Sequence, residues 1–110
     1  MPDLFFARLE KSDDLAATPL GLTRITVGFG DTPATNSNLV PAAIAAFSAL
    51  NLPGGSGLLI NGPMSIPVAF AIAHAISHRF AFIAVWDPKL QHYVTVISHS
   101  PDTKPGDLFK

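Results

Sequence analysis

Histidines and one aspartate in the last third of the chain are the side chains best suited to do chemistry. His74 and His78 lie four residues apart, a spacing that places two side chains on one face of a helix. Asp87 directly follows the apolar run AFIAVW and precedes a proline. Imidazole and carboxylate groups transfer protons in catalysis and bind divalent cations. This pattern therefore suggests acid–base or metal-assisted chemistry.

Each of these residues also has a purely structural explanation. Two histidines at helical spacing are a weak metal signal without a third ligand, and His78 is equally consistent with a surface position in a last helical turn. Asp87 fits the opening of an Asp-Pro turn. His99, within a Ser-His-Ser sequence at a strand end, is either part of a capped turn or a ligand contact. His92 has no assigned role.

A strand-to-helix loop offers a second set of candidates. The loop contains Asn61, Gly62, Pro63 and Ser65. We predict that these four residues, and His99 from elsewhere in the chain, bind the ligand. The free N–H groups at a helix start and the Ser65 hydroxyl are able to hold a phosphate. An ordinary capped helix start explains the same residues equally well.

The composition narrows the classes of function. The chain has no cysteine, which excludes disulfides, zinc–thiolate sites and thiol nucleophiles and fits a cytoplasmic protein. The net charge is −1, with seven Lys and Arg residues spread along the chain. So few, dispersed basic residues do not favour binding to the phosphate backbone of long DNA or RNA. A phosphate-bearing ligand should therefore be small.

The middle of the chain is unusually poor in charge. No Asp, Glu, Lys or Arg occurs between Asp31 and Arg79, and only 14% of the whole chain is charged, against about 25% in typical domains. We expect this stretch to form a buried core and one or more subunit interfaces. Interrupting prolines and glycines exclude a membrane span, and the N-terminus lacks a signal-peptide pattern.

The elements that must position these residues follow from hydrophobic periodicity and turn signals. We predict strands at 4–9, 22–29, 57–61, 81–86 and 93–98, helices at 39–50 and from 65 to about 78, and turns at 11–21 and 87–91. One domain, 1–110, fits this length. Buried strands alternating with helices indicate an α/β fold with a small open mixed sheet. Ligands favour the carboxyl ends of parallel strands, here the loops 61–65 and 87–91.

The last 50 or so residues carry a more specific pattern. The elements are Gly62-Pro63, the histidines of the second helix, the sequence VWDPKL ending at Leu90, a hairpin, the Ser-His-Ser sequence and Gly106-Asp107. In this order they resemble the manganese-dependent CRISPR ring nucleases, the third family of that kind. The first half of the chain matches that family only in the order of its elements.

The resemblance implies a fold distantly like CRISPR-associated Rossmann domains, and dimers that sandwich one cyclic tetra-adenylate and stack further. It implies manganese-dependent phosphodiester cleavage with groups drawn from facing dimers. The family's catalytic histidine, aspartate and basic residue fall on His78, Asp87 and Lys89. We expect a metal ion near Asp87 and the scissile phosphate, with His78 acting either as a metal ligand or as general acid or base. Lys89 replaces an arginine found in many members, which removes a bidentate phosphate contact.

Two other functions remain open. One is a module that senses or sequesters cyclic oligoadenylate without cutting it, and the other is removal of 3′ adenylates from linear RNA. The nuclease interpretation depends on one spatial condition: His78 and Asp87 reach one phosphate at the same sheet edge, with a neighbouring copy of the chain completing the site.

Overall fold

A six-stranded sheet and two helices make up the part of the chain that the computed structural model describes, residues 4–9, 22–50, 52 and 55–109. The elements in chain order are β1 Phe5–Leu9, β2 Leu22–Phe29, α1 Asn36–Ser48, β3 Gly55–Asn61, α2 Ile66–Ile76, β4 Phe80–Asp87, β5 His92–Ser98 and β6 Leu108–Phe109. The strands are ordered β1-β2-β3-β4-β5-β6. The expected α/β architecture with an open mixed sheet is confirmed.

The centre of the sheet is parallel and its margins are antiparallel. Strands β2, β3 and β4 run parallel, while β1 is antiparallel to β2, β5 to β4 and β6 to β5. The parallel connections contain α1 and α2, and right-handed crossovers in one direction along a sheet place both helices on the same face. The carboxyl ends of β3 and β4 therefore lie at one edge of the sheet.

The main core lies between that face and the two helices. Leu39, Ala43 and Phe47 of α1 and Val68, Ile72 and Ile76 of α2 are buried with Ile25, Val27, Leu58, Ile60 and Ile83 of the sheet. These helix residues recur at intervals of three to four, which is the spacing that brings one helical face onto the sheet. A smaller apolar cluster lies on the opposite face, around Leu59, Phe82, Ala84 and Tyr93.

The helices differ from the prediction at their ends. α1 begins at Asn36, with Thr35 as N-cap, which is three residues earlier than predicted. The prediction started where the apolar pattern starts, but the polar residues before it also form a helical turn. Pro41 therefore lies in the second turn of the helix, whereas the predicted start at 39 would place it in the first turn. α2 begins after Ser65 as expected but ends at Ile76. As a result, His78 lies in the following turn and not in the helix.

The tail contains an element that periodicity did not reveal. β6 is only two residues long and pairs with β5 through Tyr93 and Val94. The pairing of β5 with β4 also contains an irregularity, since Ile83 pairs with Ile97 but Ala84 pairs with Thr95. The extra residue, Val96, marks a β-bulge. The predicted turn 11–21 lies outside the described residues, as do residues 51 and 53–54, which follow the predicted end of the first helix at 50.

Among the described residues, no helix has the length and apolar character needed to cross a bilayer.

Candidate active site

His78 and Asp87, the predicted catalytic histidine and aspartate, lie at opposite ends of one strand. β4 begins at Phe80, two residues after His78, and ends at Asp87. The seven residue-to-residue steps from Phe80 to Asp87 span roughly 23 Å at about 3.3 Å each. The expectation that one chain brings His78 and Asp87 to the same edge is therefore wrong, because the strand between them is fully extended. The chain has a histidine end and an aspartate end.

The histidine end is built from the turn after α2 and the end of β5. The rings of His78 and His99 are stacked, with centroids 5.1 Å apart and planes at 23°. Nε2 of His99 donates to the backbone carbonyl of Ser77 at 2.8 Å, and the backbone N–H of His99 donates to the carbonyl of Ala81 at 2.7 Å. His99 thus fixes both the backbone beside His78 and one face of its ring.

This arrangement predicts a positioning effect for His99. We expect His99→Ala to lower the rate of any reaction that uses His78 by about 10-fold, because the His78 ring loses its support. His99→Gln, whose side-chain amide is able to donate to the carbonyl of Ser77, should have a rate between those of wild type and His99→Ala. Steady-state rates test this, with thermal unfolding as a check of folding. Equal rates for wild type and His99→Ala would contradict the positioning role.

At the aspartate end, Asp87 organises a tight turn. Its Oδ1 accepts hydrogen bonds from the backbone N–H groups of Lys89 at 2.8 Å and Leu90 at 3.2 Å. The structural interpretation of Asp87 as a turn residue is thus correct, but it accounts for only one carboxylate oxygen. The Lys89 side chain is exposed in the same turn. A carboxylate and an ammonium group are therefore both available to a ligand at this edge.

His92, to which the sequence assigned no role, stands directly beside Asp87. The two residues are partners in the register of β4 and β5. Nδ1 of His92 lies 2.8 Å from the carbonyl of Leu90, so Nδ1 donates to that carbonyl and Nε2 is the ring nitrogen left for a ligand. A histidine held in this way by a backbone carbonyl is prepared to bind a metal ion. Only the strand register, which cannot be read from spacing alone, reveals this neighbour.

The loop after β3 meets the aspartate end. Asn61, Gly62 and Pro63, all predicted ligand contacts, line a cavity of about 440 Å³ together with Met64, Trp86 and Pro88. Gly62 has a φ of 129°, and a Cβ at this position would overlap the backbone carbonyl oxygen of Val27. Glycine is therefore required for β3 to exit into the loop.

Ser65 is the N-cap of α2, which is the structural alternative to its predicted role in phosphate binding. Its hydroxyl oxygen accepts a hydrogen bond from the Val68 N–H at 3.3 Å, and Pro67 in the first turn has no N–H to offer. This use of the first turn reduces the number of donors that remain for a phosphate. Of the predicted loop residues, the first three border the cavity, whereas Ser65 caps α2.

Among the described residues, neither end provides a complete set of metal ligands. Within the described ranges, no group of three or more His or acidic residues has metal-binding geometry. Asp87 and His92 provide oxygen and nitrogen donors of the kinds that Mn²⁺ accepts, and His78 and His99 provide nitrogen donors at the other end. The donor chemistry fits manganese, but further ligands have to come from a phosphate or a second chain.

Comparison with known proteins adds one finding. The model of the family described as CRISPR-associated protein (Cas_csx3) matches residues 33–110, which is more than half of the chain. The matched segment contains every candidate residue of both ends. The comparison with curated proteins found none that matches this chain at a significant level.

Proposed function

The chain belongs to the Cas_csx3 family of CRISPR-associated proteins, and on this basis we propose that it binds and cleaves cyclic tetra-adenylate as a manganese-dependent phosphodiesterase. Such an activity would end signalling by that molecule. The observation that carries the proposal is the pairing of a ligand-sized cavity with a carboxylate, an imidazole and an ammonium group at the same sheet edge. Cavities of a few hundred Å³ are typical of small-ligand sites.

The separation of the two ends determines how such a site is assembled. Because roughly 23 Å of extended strand separates His78 from Asp87, one chain cannot bring both to one phosphate. A complete site has to combine the histidine end of one copy with the aspartate end of another. This requirement agrees with the family resemblance, in which facing dimers share active-site groups around one ring.

The residues then have separate tasks. Lys89 binds a non-bridging phosphate oxygen, and Asp87, with His92 beside it, would hold the metal ion. When bound, Mn²⁺ supplies Lewis-acid stabilisation of the charge that develops on the phosphate. His78 of the facing copy transfers a proton as general acid or base, in the orientation that His99 gives it.

The test is incubation of the protein with cyclic tetra-adenylate, with and without Mn²⁺, followed by chromatography of the products. We expect linear fragments with Mn²⁺ and intact ring with a chelator. Intact ring under all conditions would overturn the proposal. Linear RNA with a 3′ oligoadenylate end, incubated in parallel, tests for deadenylation, which the small number of basic residues disfavours.

One observation favours a second candidate function. The cavity, Asp87 and Lys89 all belong to a single chain, whereas the full catalytic set does not. A chain that binds cyclic tetra-adenylate without assembling facing copies would act as a sensor or a sequestering module. Tight binding without product in the same assay would establish this function.

An exposed apolar surface on α2 is a candidate for the contact between two chains. Ile66 and Phe70 of α2 are each 75% exposed. Phe70 borders an apolar groove of about 420 Å³ between α2 and the strands β4 and β5, and Ile66 lies one helical turn before it. Val96, at the β-bulge, lines the groove and is 47% exposed. Protruding apolar groups beside an apolar groove are self-complementary about a two-fold axis.

We expect Phe70→Ser to shift the protein from dimer toward monomer, because the substitution removes a large apolar contact from this groove. Light scattering coupled to size-exclusion chromatography, over a range of protein concentrations, measures the shift. Ile44→Ser on the exposed side of α1 is a matched control that should leave the mass unchanged. An unchanged mass for Phe70→Ser would place the contact elsewhere.

A further inference from the structure

The cavity at the aspartate end has an aromatic wall. Trp86 lines it from β4, Gly62 and Pro63 line it from the loop after β3, and Pro88 also contributes to its wall. Trp86 is partly exposed and lies immediately before Asp87. A flat group that enters the cavity therefore meets an indole ring next to the carboxylate.

The Trp86 ring is held in place by the chain. It makes an edge-to-face contact with Tyr93, with centroids 5.1 Å apart and planes at 69°, and Tyr93 is only 4% exposed. Such contacts are favourable beyond the area they bury. A fixed aromatic ring is suited to stack on a flat ligand because it loses little conformational freedom when the ligand binds.

The side-chain amide of Asn61 lies beside this ring. Ile60 of β3 pairs with Val85 of β4, so Asn61 is the neighbour of Trp86 and points to the same face of the sheet. Asn61 is partly buried, and no side-chain hydrogen bond to its amide is present within the described residues. A side-chain amide is able to pair with N6 and N7 of adenine at once, donating one hydrogen bond and accepting the other.

We propose that this cavity is an adenine subsite in which the base stacks against Trp86 and its N6 and N7 atoms pair with Asn61. The inference rests on the proposed function, since it assigns the base-reading residues of that site. It makes Trp86 and Asn61 specificity-determining residues. The adjacent Asp87 and Lys89 then meet the phosphate attached to the nucleoside whose base occupies the cavity.

The chain offers a direct probe of this cavity because Trp86 is its single tryptophan. Cyclic tetra-adenylate and AMP are titrated into the 110-residue chain without metal, and the emission of Trp86 is followed with excitation beyond the absorption of the bases. We expect saturable quenching by both, because stacked bases quench indole emission. UMP at equal concentrations should cause little quenching, since it lacks the paired N6 and N7 atoms and stacks less well.

Variants separate stacking from amide pairing. By calorimetry, we expect Trp86→Ala to weaken the binding of cyclic tetra-adenylate about 10- to 100-fold, and Asn61→Ala about 10-fold. Trp86→Phe, which keeps an aromatic face, should bind within a few fold of wild type. Ile44→Ala, on α1, is the control for an apolar truncation outside the cavity. Thermal unfolding identifies any variant that does not fold, and Asn61→Ala then carries the test.

The outcomes distinguish this inference from the proposed function. If the ring is cleaved but Trp86 emission does not change and neither variant affects binding, the adenine subsite is wrong while the nuclease proposal stands. If AMP quenches selectively but the ring is never cut, the subsite stands while the nuclease proposal fails. Equal quenching by AMP and UMP would overturn the assignment of adenine specificity.

Discussion

Asp87→Asn should lower the rate of cyclic tetra-adenylate cleavage by about 100-fold or more while leaving the fold intact. The substitution removes the negative charge that holds a divalent cation near the phosphate. It keeps a side-chain oxygen able to accept the hydrogen bonds from the N–H groups of Lys89 and Leu90. The structural role of Asp87 in its turn is therefore preserved and its chemical role is removed.

Single-turnover cleavage and thermal unfolding measure the two roles of Asp87 separately. Asp102→Asn, in an exposed turn of the tail, is the matched control and should cleave at the wild-type rate. If Asp87→Asn cleaves normally while Asp87→Ala loses both activity and stability, then Asp87 is only a turn residue. The proposed metal-binding role would then be wrong.

Gly62→Ala is expected to have the largest effect on stability. A Cβ at Gly62 would overlap the carbonyl oxygen of Val27, which is backbone of the neighbouring strand and cannot move aside. The φ of 129° adds conformational strain for any L-residue. We expect the free energy of unfolding to fall by about 3 kcal/mol or more, measured by urea denaturation.

Gly106→Ala separates steric overlap from backbone strain. Gly106 also has a positive φ, 98°, but a Cβ there would meet nothing within 4 Å. Its replacement should cost only about 1–2 kcal/mol. If the two alanine variants unfold at the same urea concentration, close approach to Val27 does not constrain the loop after β3.

Much of the fold was predictable because its signals are local. The alternating pattern of β2 gave its bounds, and Ser65 with Pro67 marked the start of α2 correctly. β6 escaped prediction because two residues form no periodic pattern, and its pairing depends on β5, which is distant in sequence. The end of α2 was placed too late because the histidines continue the helical spacing into the turn.

The candidate site was less predictable because it depends on where each strand begins and ends. His78 and Asp87 are close in sequence, and spacing alone leaves open whether a sheet joins or separates them. The extended path of β4 separates them. In the same way, His92 and Trp86 gained candidate roles only from register, which pairs one with Asp87 and sets the other beside Asn61.

The central claim is that the histidine end of one copy and the aspartate end of another form one active site. Mixing His78→Ala with Asp87→Asn tests it most directly, because some facing pairs in the mixed assembly regain one native end from each variant. We expect each variant alone to be nearly inactive and an equimolar mixture to recover up to about a quarter of the wild-type rate. His78→Ala mixed with a His78→Ala/Asp87→Asn double variant cannot form a native site and should stay inactive. An equimolar mixture of the two single variants that remains as inactive as either one, although the chains exchange, would contradict a shared site.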